Sequence, residues 1–438
     1  MRSLEQWLAH QERAHPQPID LGLERLQRVL ERLQWTQPAV PVITVAGTNG
    51  KGSVAAYASA MLGAAGYRVG TFTSPHLRDY RERIRVHDAW VSADALVEAF
   101  ERIESACRDV SLTFFEYNTL AALLVFEAAH LDAWVLEVGM GGRLDAVNVV
   151  DPSVAVVVSI GFDHQEFLGS TLEAIAREKA GIFRAGTPAV LGSDGMPEVL
   201  ESCARALGAP LKRLGREYDF TRHADRWRYR GPRWDLADLP APSLLGDTQF
   251  ANAAAAVAAV EELASRLDVP SRAIAAGLGS VHLAGRFQVI DAGHLQWILD
   301  VAHNPAAARV LAHNLRARPI AGRTLAVCGI LADKDADGVA AELADRIDEW
   351  WMASTHGARG TSAAALAERM APHLRTPIHL AGDIARACTD ALAAAGPRDR
   401  IVVFGSFHTV GPAMDWLEAR ALLPSGALRE YTLPPRVP

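Results

Sequence analysis

The stretch Val40-Pro41-Val42-Ile43-Thr44-Val45-Ala46-Gly47-Thr48-Asn49-Gly50-Lys51-Gly52-Ser53 reads as a strand, a phosphate-binding loop and the start of a helix. The apolar run at 40–43 supplies the strand. Gly47, Gly50 and Gly52 let the backbone turn tightly and aim several N–H groups at one point, where a helix beginning near Ser53 adds the positive end of its dipole. Thr48 and Asn49 complete the loop, and Lys51 is placed to reach phosphate oxygens. The pattern departs from G-x-x-x-x-G-K-[ST], because Val45 holds the first glycine position and Gly52 the hydroxyl position, with Ser53 one place later. Most isolated glycine motifs are plain turns with a solvated lysine; the strand before and the helix after weigh against that reading here.

Around this loop the chain has 438 residues, and at roughly 150 residues per domain two domains are expected. Half the residues are hydrophobic and 22% are charged, which provides a sizeable core and excludes wholesale disorder. Lys+Arg 44 against Asp+Glu 51 gives a net charge of -7, which argues against a nucleic-acid surface while leaving room for a local anion pocket. Cys107, Cys203, Cys328 and Cys388 form no C-x-x-C pair and suit a reducing compartment. Residues 1–15 carry Glu5, His10 and Glu12 where a signal peptide needs an apolar run, and no segment is apolar enough to span a bilayer. The expectation is a cytoplasmic monomer with neither a nucleic-acid nor a membrane partner.

Two short helices lead into the loop. After it come a small-residue helix at 55–65, a strand at 68–72, helices at 93–107 and 117–129, and strands at 133–138 and 154–160. Continuous apolar strands separated by helices mean a mostly parallel sheet. The segment 212–238, with Tyr218, Trp227, Tyr229 and Trp234 among charged residues, reads as an antiparallel hairpin patch, and 251–267 as an Ala-rich helix. At 283–286 the pattern resets, and strands at 296–300, 324–330, 350–353 and 401–404 alternate with helices. The fold class expected is α/β: a P-loop-type domain over residues 1–284, and a smaller Rossmann-like α/β domain over 285–438 that closes over the first.

Phosphoryl transfer needs a cation, so carboxylates near the loop matter. Glu137 ends an apolar strand, His164 follows the next one, and Ser74 follows a third; open α/β sheets bind ligands at such strand ends. Together they make a plausible open Mg²⁺ site completed by water and phosphate. Singly, each is more often a cap, an ion pair or a hydrogen-bonded structural residue. Lys179, in Glu178-Lys179-Ala180-Gly181, closes a helix, and spacing alone favours a cationic last turn before a glycine cap.

The motifs GTNGKGS (47–53), SPHL (74–77), EVGMGGRLDAVN (137–148), DH (163–164), REKAGIFR (177–184), GRFQ (285–288), DVAHNP (300–305) and FGSFHTV (404–410) follow one another in family order. The chain closely resembles folylpolyglutamate synthases, and within them the bifunctional dihydrofolate synthase type, a branch of the Mur ligases. The resemblance implies ATP-dependent amide formation. A carboxylate of dihydropteroate or of a reduced folate attacks the γ-phosphate of ATP, and the amine of L-glutamate displaces phosphate from the acyl phosphate. It also implies two Mg²⁺ sites, with Ser74, Glu137 and His164 at one and a carbamylated Lys179 at the second, which overrides the helix-cap reading. Asn252, Arg286 and Asp300 match positions for the ATP base, phosphate and ribose, while His303, Ser406 and His408 lie on the second domain's face of the cleft. Phe115 would stack on the pterin beside Thr113, with Asp145 bonding its ring. Val147 departs from the usual D-A-T-N loop and removes one hydroxyl. Competing readings are a P-loop phosphotransferase or NTPase switch, a non-catalytic folate or nucleotide binder, a monofunctional folylpolyglutamate synthase, and a Mur ligase acting on cell-wall precursors.

Overall fold

The computed structural model describes residues 2–223, 226–292, 295–423 and 430–433. Its larger sheet runs, strand by strand, Glu430–Tyr431, Ala89–Val91, Ile84–Val86, Val69–Phe72, Ala133–Glu137, Val42–Ala46, Val154–Val157, Ala189–Leu191 and Leu211–Arg213. The six strands from Val69–Phe72 to Leu211–Arg213 are mutually parallel, while Ile84–Val86 joins antiparallel to both of its neighbours. Every residue of Val42–Ala46, Ala133–Glu137 and Val154–Val157 is buried. A sheet covered on both faces selects such continuous apolar runs over alternation.

Each face carries its own core. On one side helices Ala93–Cys107 and Phe114–Ala128 pack with the N-terminal helices Leu4–Gln11 and Glu24–Arg32. On the other, Lys51–Ala64, Thr248–Glu262 and Ser271–Ser280 use small residues to bring backbones together. A Cβ at Gly277 would sit 2.5 Å from Met61 N, so this contact depends on glycine. The hairpin patch is a three-stranded antiparallel sheet of Asp219–His223, Arg226–Arg230 and Asp235–Pro240. It is pinned by fully buried Glu261, which accepts from Tyr229 Oη at 2.7 Å, Arg233 N at 2.6 Å and Trp234 N at 2.5 Å.

The smaller sheet runs Gln288–Ala292, Leu295–Asp300, Arg400–Phe404, Thr324–Cys328, Glu349–Ala353 and Ile378–Ala381, parallel except at its first pair. The chain enters it through Gly285, whose φ of 68° no side chain adopts without strain. The fold is therefore the α/β class expected from the sequence. Element ends differ: one helix begins at Phe114, not at 117, because Thr113 and Glu116 form a capping box, and the Ala-rich helix spans Thr248–Glu262. Short strands Ile84–Val86, Ala89–Val91, Ala189–Leu191 and Ile378–Ala381 carry too few residues for a period to show. Glu430–Tyr431 pairs with Ala89–Val91, returning the chain to the larger sheet. Among the described residues no helix is long and apolar enough to cross a membrane.

Candidate active site

The parallel strand Val42–Ala46 ends at the glycine loop, and the helix Lys51–Ala64 begins with no side-chain cap, leaving its first N–H groups free for an anion. Gly50 has φ 86°, and a Cβ there would stand 2.7 Å from Asn252 Oδ1. Ser159 braces the loop: its Oγ accepts from Asn49 N at 3.0 Å and donates to Asn49 O at 2.9 Å. Thr48 Oγ1 likewise bonds Gly161 through its carbonyl at 3.1 Å and its N–H at 3.0 Å.

Two lysines converge on one carbonyl. Lys51 Nζ donates to Gly47 O at 3.1 Å and Thr48 O at 3.3 Å, and Lys179 Nζ donates to the same Gly47 O at 3.0 Å. Lys179 lies in the last turn of the helix Leu172–Ala180 but is buried, so it points across to the loop and does not cap its own helix. Gly181 has an ordinary helical φ of -62°; glycine is needed there because a Cβ would meet Arg143 Cα at 2.4 Å. Burial, reinforced by the Lys51 charge, pulls the Lys179 ammonium down to about 7.

Glu137 stands at the tip of its strand in register with Val45, buried, and its Oε2 accepts from Ser74 N at 3.2 Å. Burial raises its pKa against the pull of Lys51, that hydrogen bond and Arg286. A Cβ at Gly52 would lie 3.6 Å from Glu137 Oε2 and 3.8 Å from an Arg286 η nitrogen, so the linker arginine reaches the start of the helix. Lys51, Glu137, Ser53, Asn252 and Arg286 thus line one cavity of about 530 Å³ together with Ser74, Lys179 and His164. Among the described residues no three His, Cys, Asp or Glu side chains form a ready-made metal cage. The donor set suits Mg²⁺ nonetheless. Among the described residues Ser74 Oγ and Glu137 Oε1 are hard oxygens with no protein hydrogen bond, and Mg²⁺ takes its remaining ligands from water and phosphate. Burial holds His164 down to about 4, so its ring is neutral; Lys334 Nζ lies 3.3 Å from its Nε2.

The smaller sheet supplies the opposite wall. Asp300 lines the cavity, but its carboxylate is tied to its own backbone, accepting from Phe287 N at 2.9 Å and Ala302 N at 2.8 Å. His303 Nδ1 lies 2.8 Å from Val301 O, and Nε2 stands 3.4 Å from Asp163. Ser406 is buried with its Oγ on Thr409 Oγ1 at 2.7 Å and Gly329 O at 3.2 Å, whereas His408 stays exposed at the rim. Sequence reasoning left Asp163, Asn304 and Lys334 without roles. Lys334 Nζ reaches Asp163 Oδ1 at 2.5 Å, and Asn304 bonds both Asp163, at 3.3 Å, and Asn49, at 3.2 Å. Burial pushes Asp163 up, but the hydrogen bond from His303 and the charges of His164, His303 and Lys334 hold it well below the usual carboxylate range. The charged run Asp333-Lys334-Asp335 just beyond an apolar strand was the available signal.

A second cavity of about 240 Å³ opens beside the first, and Ser74, Pro75, Gly139, Met140 and His164 line both. Thr113, Phe115 and Asp145 line it. The Phe115 ring lies on Gly139, where a Cβ would meet its Cζ at 2.5 Å. Thr113 spends its hydroxyl on Glu116, donating to Oε2 at 2.9 Å. Asp145 is buried, and burial raises it to about 6 although Met140 N at 2.8 Å and Val147 N at 3.0 Å both donate to it. Val147 serves through its backbone N–H with its side chain fully buried in the apolar core, so the missing threonine hydroxyl leaves Asp145 held. The loop Pro18–Gly22 forms another wall; its sequence signalled only that Asp20 precedes a helix, not that it lines a cavity.

The Mur ligase middle domain matches residues 45–260, and the Mur ligase glutamate ligase domain matches residues 285–407. A two-sheet fold with a phosphate loop on one side and a glutamate-ligase unit on the other defines the Mur ligase class. The chain is 44% identical to the Escherichia coli dihydrofolate synthase/folylpolyglutamate synthase over 95% of its length and 96% of that protein's. It is 40% identical to the Haemophilus influenzae enzyme of the same name, over 93% and 96%. The solved structure of Escherichia coli FolC in complex with DHPP and ADP superposes with a TM-score of 0.91 at 44% identity, covering 96% of this chain and 99% of that one. The Yersinia pestis enzyme complexed with AMPPNP and Mn ion gives 0.88 at 44% identity, covering 95% and 98%. The chain belongs to the dihydrofolate synthase/folylpolyglutamate synthase family.

Proposed function

We propose that this protein is an ATP-dependent ligase that joins L-glutamate to dihydropteroate and to reduced folates through an acyl phosphate. The observation that carries this reading is the continuity of the two cavities across Ser74, Pro75, Gly139, Met140 and His164. A carboxylate whose pteridine lies in the second cavity can thereby extend toward phosphates in the first. Lys51 and the helix N-terminus bind the β- and γ-phosphates of ATP, with Asn252 at the base and Asp300 at the ribose. Arg286, brought in by the linker, neutralises charge that builds up on the γ-phosphoryl group as the carboxylate oxygen attacks phosphorus and the bond to ADP breaks. Ser74, Glu137 and His164 would hold Mg²⁺, which when bound supplies charge neutralisation at the phosphoryl oxygens.

As a carbamate, Lys179 would hold the second metal ion through its anionic oxygens. Its lowered pKa leaves a large share of neutral amine near neutral pH, and that amine can add to CO₂ with loss of one proton, turning a cation into an anionic oxygen ligand. Asp145 accepts from the pteridine ring, Phe115 stacks on it, and Thr113 fixes the helix that carries Phe115. The amine of L-glutamate approaches from the wall of His303, Ser406 and His408, attacks the acyl carbon and releases phosphate. The test is ADP release by the purified chain with ATP and Mg²⁺. The expected result is release that requires both L-glutamate and either dihydropteroate or tetrahydrofolate. Release without glutamate would point to an NTPase or phosphotransferase, and release with one pteridine alone would make the enzyme monofunctional.

A further inference from the structure

Arg83 ends the turn Tyr80–Arg83 and lines the second cavity, yet it is only 7% exposed. Its Nε donates to His76 Nδ1 at 2.8 Å, and its guanidinium lies 5.5 Å from the Phe114 ring centre and 5.8 Å from that of Tyr80. Among the described residues its η nitrogens donate to no protein acceptor, and no carboxylate stands within ion-pair distance. The carboxylates that act on it through space are engaged elsewhere. Glu82 accepts the N–H groups of Leu77, Arg78 and Asp79, and Glu137 accepts that of Ser74. The acidic groups of the cavity wall are also taken: Asp20 and Glu116 by Arg25, and Asp145 by two backbone N–H groups.

A buried guanidinium without a counter-charge is costly unless a ligand brings one. Its planar fork matches a carboxylate, and the aromatic rings fix its plane. We propose that Arg83 is a substrate-recognition residue whose η nitrogens pair with a carboxylate of the pteridine-bearing substrate, an assignment that rests on the function proposed above. Arg83 does not line the first cavity, so it acts on the binding of the acceptor and not on ATP.

Equilibrium titration of the full chain without ATP tests this with three ligands: dihydropteroate, which has one carboxylate; tetrahydrofolate, which has two; and a dihydropteroate analogue with hydrogen in place of the carboxylate. In Arg83→Gln both carboxylate ligands should weaken by roughly tenfold or more, while the carboxylate-free analogue changes by less than about twofold. Equal losses for the two acids assign the reacting carboxylate; a larger loss for tetrahydrofolate assigns the α-carboxylate of its glutamyl group. If Arg83→Gln does not fold, Arg83→Lys decides, because it keeps the charge without the fork and should lose part of the same preference. Equal weakening of all three ligands, or of none, overturns the proposal. Failure of the parent chain to bind any of them overturns the functional reading, and this proposal with it.

Discussion

The two cavities handle buried charge in opposite ways. The larger is assembled from both sheets, and its lysines wait on neutral or paired partners: Lys51 and Lys179 share the Gly47 carbonyl, and Lys334 holds Asp163 across the cleft. The smaller is built from the first unit alone, with aromatic walls and isolated charges of each sign in Arg83 and Asp145. One surface is an electrostatic trap whose parts come from both sheets; the other is a shaped slot built from the larger sheet's part of the chain alone. Substitutions in the first should therefore depress turnover, while those in the second should discriminate among acceptors.

The sharpest contrast comes from Lys51→Ala. Loss of a charge at the transferring phosphoryl group is worth about 3–4 kcal/mol, so steady-state ADP release should fall several hundredfold while pteridine binding is kept; near-parental turnover in the folded variant would remove the lysine from the phosphate site. Lys179→Ala should also lose most activity and keep the fold seen by circular dichroism. A short carboxylic acid such as acetate or propionate should restore part of it, as an oxygen ligand in place of the carbamate, and full activity without additive would return Lys179 to a structural role.

Asp145→Asn tests the smaller cavity. The amide keeps the volume but loses the charge, so pteridine affinity should drop by about 1–2 kcal/mol with ADP affinity unchanged, both read by titration. Loss of both affinities together would mean that the cavities are one cooperative unit. The smallest effect concerns the bond behind Arg83. His76 is held down to about 4 by burial and by Arg83, so it is neutral in the fold and protonates readily once unfolded. Stability from this source is present above pH ~6.5 and is lost as pH falls toward 4. In His76→Gln the acid slope of unfolding free energy should flatten by up to about 1.4 kcal/mol per pH unit, measured by urea titration across that window; an unchanged slope would show that the ring is free to protonate in place.

Local chemistry was legible in the sequence and distant pairing was not. Glycines and a lysine between a strand and a helix announce the phosphate loop, because backbone freedom and charge lie within a few residues. Glu137 could be placed at a strand tip because a buried parallel strand has a readable end, whereas the next strand stops at Val157 and reaches His164 only through the loop after it. Lys179 was ambiguous from spacing alone, since a last-turn lysine points to solvent or inward according to helix rotation, which packing decides. The link of Asp163 to Lys334 joins residues 171 positions apart, and nothing local in either strand end specifies the other. The Arg83 slot was hidden for a similar reason: an arginine in a charged run looks solvated until the rings of Tyr80 and Phe114 close around it.

The pairing of Glu430–Tyr431 with Ala89–Val91 has a mechanical meaning. The chain passes Gly285, builds the smaller sheet and returns to the larger one at that late strand, so the smaller sheet is joined to the larger at two places along the chain. Arg286, His303 and Lys334 all lie on the stretch of chain between those two attachments, so the residues that the smaller sheet's part of the chain brings to the cleft are tethered at both ends, whichever ligand fills it.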